Sequence, residues 1–193
     1  MIKVALTGNI ASGKTTVQRF IENCGFKVLD TDICAHEILE KSDELKVNFK
    51  AYDVFNSDGS FDRTKLGKLV FDNPELKVRL ENIIHPKIKK NIINFFEINK
   101  DEKACFVAIP LLYEVGFQDM FDKVVLIYTD DDIRKKRLIE RNGYSDEYAQ
   151  KRINAQISQD KKVDIADYVV KNNENKESLE LSVKELLSKL CVL

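Results

Sequence analysis

The apolar run MIKVAL leads straight into Gly8-Asn-Ile-Ala-Ser-Gly-Lys-Thr15, and this stretch leads straight into TTVQRFIENCG, whose apolar residues recur at helical spacing. A buried strand, a glycine-bounded turn and a helix in that order constrain the fold more than any other feature of the chain. The turn reads Gly8-x-x-x-x-Gly13-Lys14-Thr15, the Walker A pattern, in the strand-to-helix context that the pattern requires. Backbone N–H groups of such a loop converge on phosphates at the helix N-terminus, where the helix dipole favours negative charge. Lys14 then reaches the β- and γ-phosphates, and the Thr15 hydroxyl ligates Mg²⁺. Gly8, Asn9, Ile10, Ala11, Ser12, Gly13, Lys14, Thr15 and Thr16 therefore read as a nucleoside triphosphate site.

Four more short, β-branched apolar runs follow, at 26–30, 105–109, 123–128 and 167–170. Nearly continuous rather than alternating apolarity marks strands buried on both faces, as in a parallel sheet. Helical patterns separate them at 14–23, in several segments from about 32 to 98, and at 130–141, 146–156 and 176–190. The alternation predicts an α/β fold with a doubly wound, five-stranded parallel sheet, whose ligands bind beyond the carboxyl ends of the strands. The gap between the second and third strands is far longer than a crossover helix needs, so 32–100 reads as an inserted helical subdomain. Within it, 57–60 (SDGS) reads as a turn and Pro86 as a first-turn helix residue. The Arg-rich segment 130–164, broken at Asn142-Gly143, reads as a lid, which leaves 1–31, 101–129 and 165–193 as the nucleotide-binding core of a single domain.

With 193 residues and a formal net charge of -1, the chain carries no global signal for binding nucleic acid or another polyanion. Its apolar stretches are too short to span a bilayer and its N-terminus lacks a basic flank, so a cytoplasmic protein without membrane partners is the expectation. Cys24, Cys34, Cys105 and Cys191 form no CxxC pair and read as incidental reduced thiols.

Switch GTPases, motor ATPases and small-molecule kinases all use such a loop. No Asn-Lys-x-Asp or Asp-x-x-Gly follows the appropriate strands, and the third strand is followed by Pro110-Leu-Leu-Tyr-Glu114 without a Walker B aspartate. A small-molecule kinase fits best. Asp30-Thr31-Asp32 closes the second strand: one carboxylate orients or deprotonates an acceptor hydroxyl and the other holds Mg²⁺, and their i, i+2 spacing on an extended chain puts them on one side. Arg137 and Arg141, at i, i+4 of a lid helix, would stabilise the transferring phosphoryl group, whereas Arg134 reads as a solvated charge. Two alternatives stay open at this point: another nucleoside, nucleotide or small-metabolite kinase, and a nucleotide-sensing module without turnover.

LTGNIASGKTT, DTD at 30–32, IIHP at 83–86, PLLYE at 110–114, RLIERNGYSDEYAQKRINAQ and ADYVVKNN at 166–173 run in order along nearly the whole chain. That series resembles the dephospho-CoA kinase family of P-loop kinases. The resemblance implies a P-loop kinase core with a CoA-binding helical subdomain and a lid, ATP and dephospho-CoA as substrates, Mg²⁺ as cofactor, and transfer of the γ-phosphate to the ribose 3′-hydroxyl. It also implies Asp32 as the acceptor-side acid, Lys14 as the phosphate-binding lysine, Arg137 and Arg141 as lid arginines, and Asn172-Asn173 near the adenine. His85, Leu111, Tyr113 and Glu114 would line the acceptor pocket, and Thr15 with Asp30 would serve the metal. A monomer or weak homo-oligomer is expected. The family usually reads GGIGSGKS. This chain departs at Asn9, Ala11 and Thr15, which makes the backbone conformation of Asn9 and Ala11 the open question in the loop.

Overall fold

The computed structural model describes residues 1–190; Cys191 lies outside them. Five strands, β1 (Ile2–Thr7), β2 (Lys27–Asp30), β3 (Ala104–Ala108), β4 (Lys123–Tyr128) and β5 (Tyr168–Lys171), pair wholly in parallel in the order β2-β3-β1-β4-β5. Val28 and Val4 flank Phe106 across β3, Leu6 pairs with Val125, and Leu126 pairs with Val169. The five apolar runs read from the sequence are these strands, shifted by at most one residue at an end.

The chain divides into two compact units, residues 1–30 with 96–193 and residues 31–95. In the first, helix α1 (Lys14–Asn23) turns Val17, Phe20 and Ile21 onto Val4, Leu6, Phe106 and Val125, joined by Leu179, Val183, Leu186 and Leu187 of the last helix, α9 (Lys176–Lys189). Alternate strand residues Ala5, Val107 and Leu126 are equally buried, so both faces of the sheet are covered. Each fully buried Val, Leu, Ile or Phe contributes about 1.5–3 kcal/mol relative to exposure. Helices α6 (Asp131–Asn142), α7 (Asp146–Asn154) and α8 (Gln159–Val163) occupy the charged segment between β4 and β5. Gly143 ends α6 in the left-handed region, at φ 65, donating its N–H to the Ile139 carbonyl, and Ser145 caps α7 by accepting from Tyr148 N. The break expected at Asn142-Gly143 is therefore present; α8 is a further short helix that its mostly polar sequence did not announce.

The second unit holds α2 (Thr31–Lys41), α3 (Asp43–Phe49), α4 (Arg63–Asp72) and most of α5 (Pro74–Ile98) around buried Leu45, Phe49, Phe61, Leu66, Ile84, Ile88 and Ile92. Ser42 and Asp62 cap α3 and α4. The 57–60 turn joins Phe55 and Phe61 in an antiparallel bridge, with Gly59 at φ 80. Pro86 is not in a first turn: it sits in the interior of α5, where its missing N–H leaves the Asn82 carbonyl without its helical donor, and Pro74 fills the first-turn role. The 25 residues of α5 continue through Pro86 because apolar Ile84, Ile88 and Ile92 keep the stripe in register on both sides. Among the described residues no helix is long and apolar enough to cross a membrane.

The start of β5 is tied to β4 by Asp167, whose carboxylate accepts from Lys123 Nζ at 2.9 Å and Val124 N at 2.8 Å. Burial pushes the Asp167 carboxyl up, but the hydrogen bonds from Lys123 and Val124 and the lysine's charge outweigh it and hold the group below its ordinary value. A depressed carboxyl pKa stabilises the fold above the unfolded value, and this contribution fades as pH falls through the folded one. Asp167→Ala is expected to cost about 1–3 kcal/mol at neutral pH. Thermal melts should show the gap from wild type narrowing below pH 3.8, the group's ordinary pKa.

Candidate active site

The loop from Gly8 to Thr15 leaves the carboxyl end of β1 and enters α1 through Gly13, at φ 90 and ψ 21. A Cβ on Gly13 would lie 2.1 Å from Asn172 Nδ2, and one on Gly8 would lie 2.5 Å from Ser12 Oγ, so glycine is required at both positions for space, and at Gly13 also for its backbone angle. Ala11 is the non-glycine with positive φ among the described residues, at 62. Of the two positions left open by the sequence, Ala11 and not Asn9 takes the left-handed conformation, at a cost of about 1–2 kcal/mol. Ile10 and Ala11 rest against an apolar cluster of Leu138, Ala149 and Ile153 on α6 and α7, which holds the strained residue in place.

One of the loop's carbonyls is taken within the loop and three by donors from elsewhere in the first unit. Asn9 O accepts from Ser12 N at 3.0 Å, Ile10 O from Arg134 at 3.4 Å, Ala11 O from Arg137 at 3.3 Å, and Ser12 O from Asn172 Nδ2 at 2.7 Å and Thr129 Oγ1 at 2.9 Å. In a trans peptide the C=O and the following N–H point in opposite directions. Anchoring the carbonyls of Ile10 and Ser12 outward thus aims the N–H groups of Ala11 and Gly13 the other way. At the start of α1 no side chain caps the helix, and the N–H groups of Lys14 and Thr15 meet no acceptor among the described residues. Lys14 is 9% exposed, and its ammonium forms no ion pair or hydrogen bond among those residues. Converging amide donors, a helix N-terminus and an unpaired, largely buried ammonium together form a cradle for a polyanion. The exposed Thr15 hydroxyl, likewise without a protein partner among the described residues, and the half-buried Asp30 at the end of β2 are oxygen donors of the kind Mg²⁺ takes.

Asn172 and Asn173 follow β5. The first, 7% exposed, closes on the loop, and the second accepts from Asp130 N at 2.9 Å, fixing the start of α6. Arg137 also donates to Asn172 O at 3.1 Å, so its guanidinium bridges the loop and the segment after β5. Arg141 is one turn further along the same helix, exposed, with its Nε donating to Asn142 at 2.9 Å. Arg134, read from sequence as a solvated charge, is 1% exposed and paired with Asp131. Its burial follows from the side of α6 that carries Leu138, four residues on, into the apolar cluster.

Glu114 turns its carboxylate to Lys162 at 2.7 Å and Ile157 N at 3.2 Å. Tyr113 donates to Ile165 O at 3.3 Å, and burial, with the Asp167 charge, pushes its phenol pKa up. Leu111 is half-buried in the same turn after β3. In the second unit, Asp32 stands exposed in the first turn of α2, and His85 lies half-buried on α5, where burial and nearby Lys89 and Lys77 outweigh Glu81 and lower its pKa. Since α2 begins at Thr31, the extended i, i+2 geometry expected for Asp30 and Asp32 does not hold; one ends a strand and the other opens a helix. Arg134, Thr129, Gln156 and Lys162 were not singled out as site residues. Thr129 had a signal in its position directly after an apolar strand, and Arg134 one in Leu138 four residues on.

A family model for dephospho-CoA kinase matches residues 2–178. The chain belongs to the dephospho-CoA kinase family. The family's activity, ATP-dependent phosphorylation of dephospho-CoA in the last step of CoA biosynthesis, makes the chain a kinase. A dephospho-CoA kinase of Listeria innocua is 37% identical over 192 residues, covering 96% of this chain and 94% of that one. The solved dephospho-CoA kinase of Campylobacter jejuni superposes with a TM-score of 0.75 at 33% identity, covering 97% and 96% of the two chains. A Thermus thermophilus protein of known structure gives 0.84 at 33% identity, covering 98% and 97%. The P-loop kinase fold expected from the sequence is thus the fold of the family.

Two substitutions separate the arginines of α6. Arg134→Ala empties a buried site and leaves the Ile10 carbonyl without its donor, while the exposed Asp131 stays solvated, and is expected to cost about 1–3 kcal/mol in chemical denaturation. Arg141→Ala, at an exposed position, should stay within about 0.5 kcal/mol of wild type. Ala11→Gly removes the left-handed strain, so its melting temperature should equal or exceed that of wild type; a clear fall would show that the Ala11 methyl contributes more through packing than its φ costs.

Proposed function

We propose that the chain transfers the γ-phosphoryl group of ATP to the ribose 3′-hydroxyl of dephospho-CoA, giving CoA and ADP. The observation that carries this reading is the donor cradle of Ala11, Gly13, Lys14 and Thr15, whose amides and ammonium have no acceptor within the described protein. ATP's phosphates are the polyanion that the cradle suits, with Lys14 on the β- and γ-phosphates and Asn172 and Asn173 toward the adenine. The Thr15 hydroxyl and Asp30 would hold Mg²⁺, which when bound neutralises phosphate charge.

Asp32 orients the acceptor hydroxyl and takes its proton as the 3′-oxygen bonds to the γ-phosphorus and the bond to the β–γ bridging oxygen breaks. Arg137 and Arg141 stabilise charge on the transferring group. His85, Leu111 and Tyr113 contact the acceptor, residues 32–100 serve as the CoA-binding subdomain, and 130–164 act as a lid. The reading sets the reaction in the cytoplasm, in a monomer or weak homo-oligomer.

An ADP-release assay with dephospho-CoA and a panel of nucleosides and nucleoside monophosphates tests the reading. Turnover is expected with dephospho-CoA; transfer to a nucleoside monophosphate with none to dephospho-CoA would overturn it, and ATP binding without any turnover would favour a sensing module. Lys14→Ala and Asp32→Asn should each lower kcat by about 10²-fold or more with melting temperatures near wild type.

A further inference from the structure

We propose that Lys162 is a positioning residue for ATP. With Asn9 and Glu114 it forms a strut, centred on a buried ammonium, that sets the phosphate loop, so that Glu114 Oε1 serves the nucleotide site. This rests on the reading of the loop as the ATP site.

Lys162 is 0% exposed, so its ammonium touches neither solvent nor a ligand in the cradle. Burying a lysine is costly unless its charge is paired and its protons are placed. Here Nζ donates to Glu114 Oε1 at 2.7 Å and to Asn9 Oδ1 at 2.8 Å. Asn9 is held from its other end as well, because its Nδ2 donates to Ile157 O at 2.9 Å. The next residue is fixed on both sides of its backbone: Ile10 N donates to Gln156 Oε1 at 2.8 Å and Ile10 O accepts from Arg134. Glu114 closes the ring by accepting from Ile157 N.

Three segments distant in sequence, the loop after β1, the turn after β3 and residues 156–162, are therefore joined through one ammonium. Apolar burial does not explain the docking of that last segment: Ile157, Val163 and Ile165 are 37%, 37% and 57% exposed. Polar bonds place it, and through Asn9 and Ile10 they place the loop whose N–H groups face the phosphates. Both of the assigned oxygen and nitrogen ends of Asn9 are used, and Glu114 Oε1 is committed to Lys162 and Ile157 N.

The test measures melting temperature and ATP affinity, by calorimetry without acceptor, for Asn9→Ala, Glu114→Gln and Lys162→Met, and then KM for each substrate. A 1 Å misplacement of a binding group can cost up to about 10²-fold. Folded Asn9→Ala and Glu114→Gln are expected to weaken ATP binding by about tenfold. Their KM for dephospho-CoA should stay within about twofold of wild type. Unchanged ATP affinity in both variants, or a raised dephospho-CoA KM with ATP affinity intact in Glu114→Gln, overturns the proposal. If Lys162→Met fails to fold, Asn9→Ala decides, since it leaves the Lys162–Glu114 pair whole. ATP affinity is read without acceptor, so a wild-type chain that binds ATP but does not phosphorylate dephospho-CoA would sink the proposed reaction and leave this test intact.

Discussion

A phosphate site made of backbone amides works only if the peptide planes are held, because an amide free to rotate returns its N–H to water or to a neighbouring carbonyl. In this chain the holding is done from the carbonyl side. Arg134, Arg137, Asn172 and Thr129 each grip an oxygen of the Ile10–Ser12 stretch, and the N–H groups face the other way as a geometric consequence. The strained φ at Ala11 persists for the same reason: the bonds around it leave no relaxed alternative. Because this order exists in the protein alone, ATP need not supply the entropy cost of arranging the loop.

The arrangement also explains why the residues after β4 and β5 matter to a loop that follows β1. In the strand order β2-β3-β1-β4-β5, β4 is the neighbour of β1 and β5 comes next, so Thr129 and Asn172 emerge beside the loop. Their hydroxyl and amide donate to the Ser12 carbonyl and do not cap α1, whose N-terminal amides stay without a side-chain acceptor. Cationic side chains that look like phosphate ligands in a sequence therefore divide into two kinds. Lys14 has no partner for its ammonium among the described residues, while Arg134 and Lys162 are buried, paired and committed to the protein.

The sheet was legible because parallel strands buried on both faces leave an unbroken apolar run, and α1, α6 and α9 because their apolar residues repeat at helical spacing. The Walker loop and the residues after each strand were legible through spacing alone. Pro86 misled because a proline ordinarily marks a helix start; the apolar stripe on both sides of it overrode that preference. Arg134 misled because charge is normally solvated, and only the position of Leu138 on the same face argued otherwise. Nothing local distinguishes Lys162 from Lys161, one buried and one exposed, since its partners lie 48 and 153 positions away. Such pairings belong to the folded chain and have no periodicity to read. Asp32 follows β2 as the spacing implied, but the backbone there is helical and not extended, because α2 begins at once at Thr31.

The chain crosses between its two units without a linker. At one crossing Asp30 ends β2 and Thr31 begins α2 with no residue between; at the other, α5 runs unbroken to Ile98. The last turn of that helix already belongs to the first unit, where Phe96, 4% exposed, sets its ring 5.9 Å from that of Phe121. Cutting residues 31–95 out as a separate piece would end α5 in mid-ladder and strip four carbonyls of their donors. The helical unit is thus continuous in secondary structure with the rest of the chain at both of its ends, and it could be exchanged as a module only by breaking a helix.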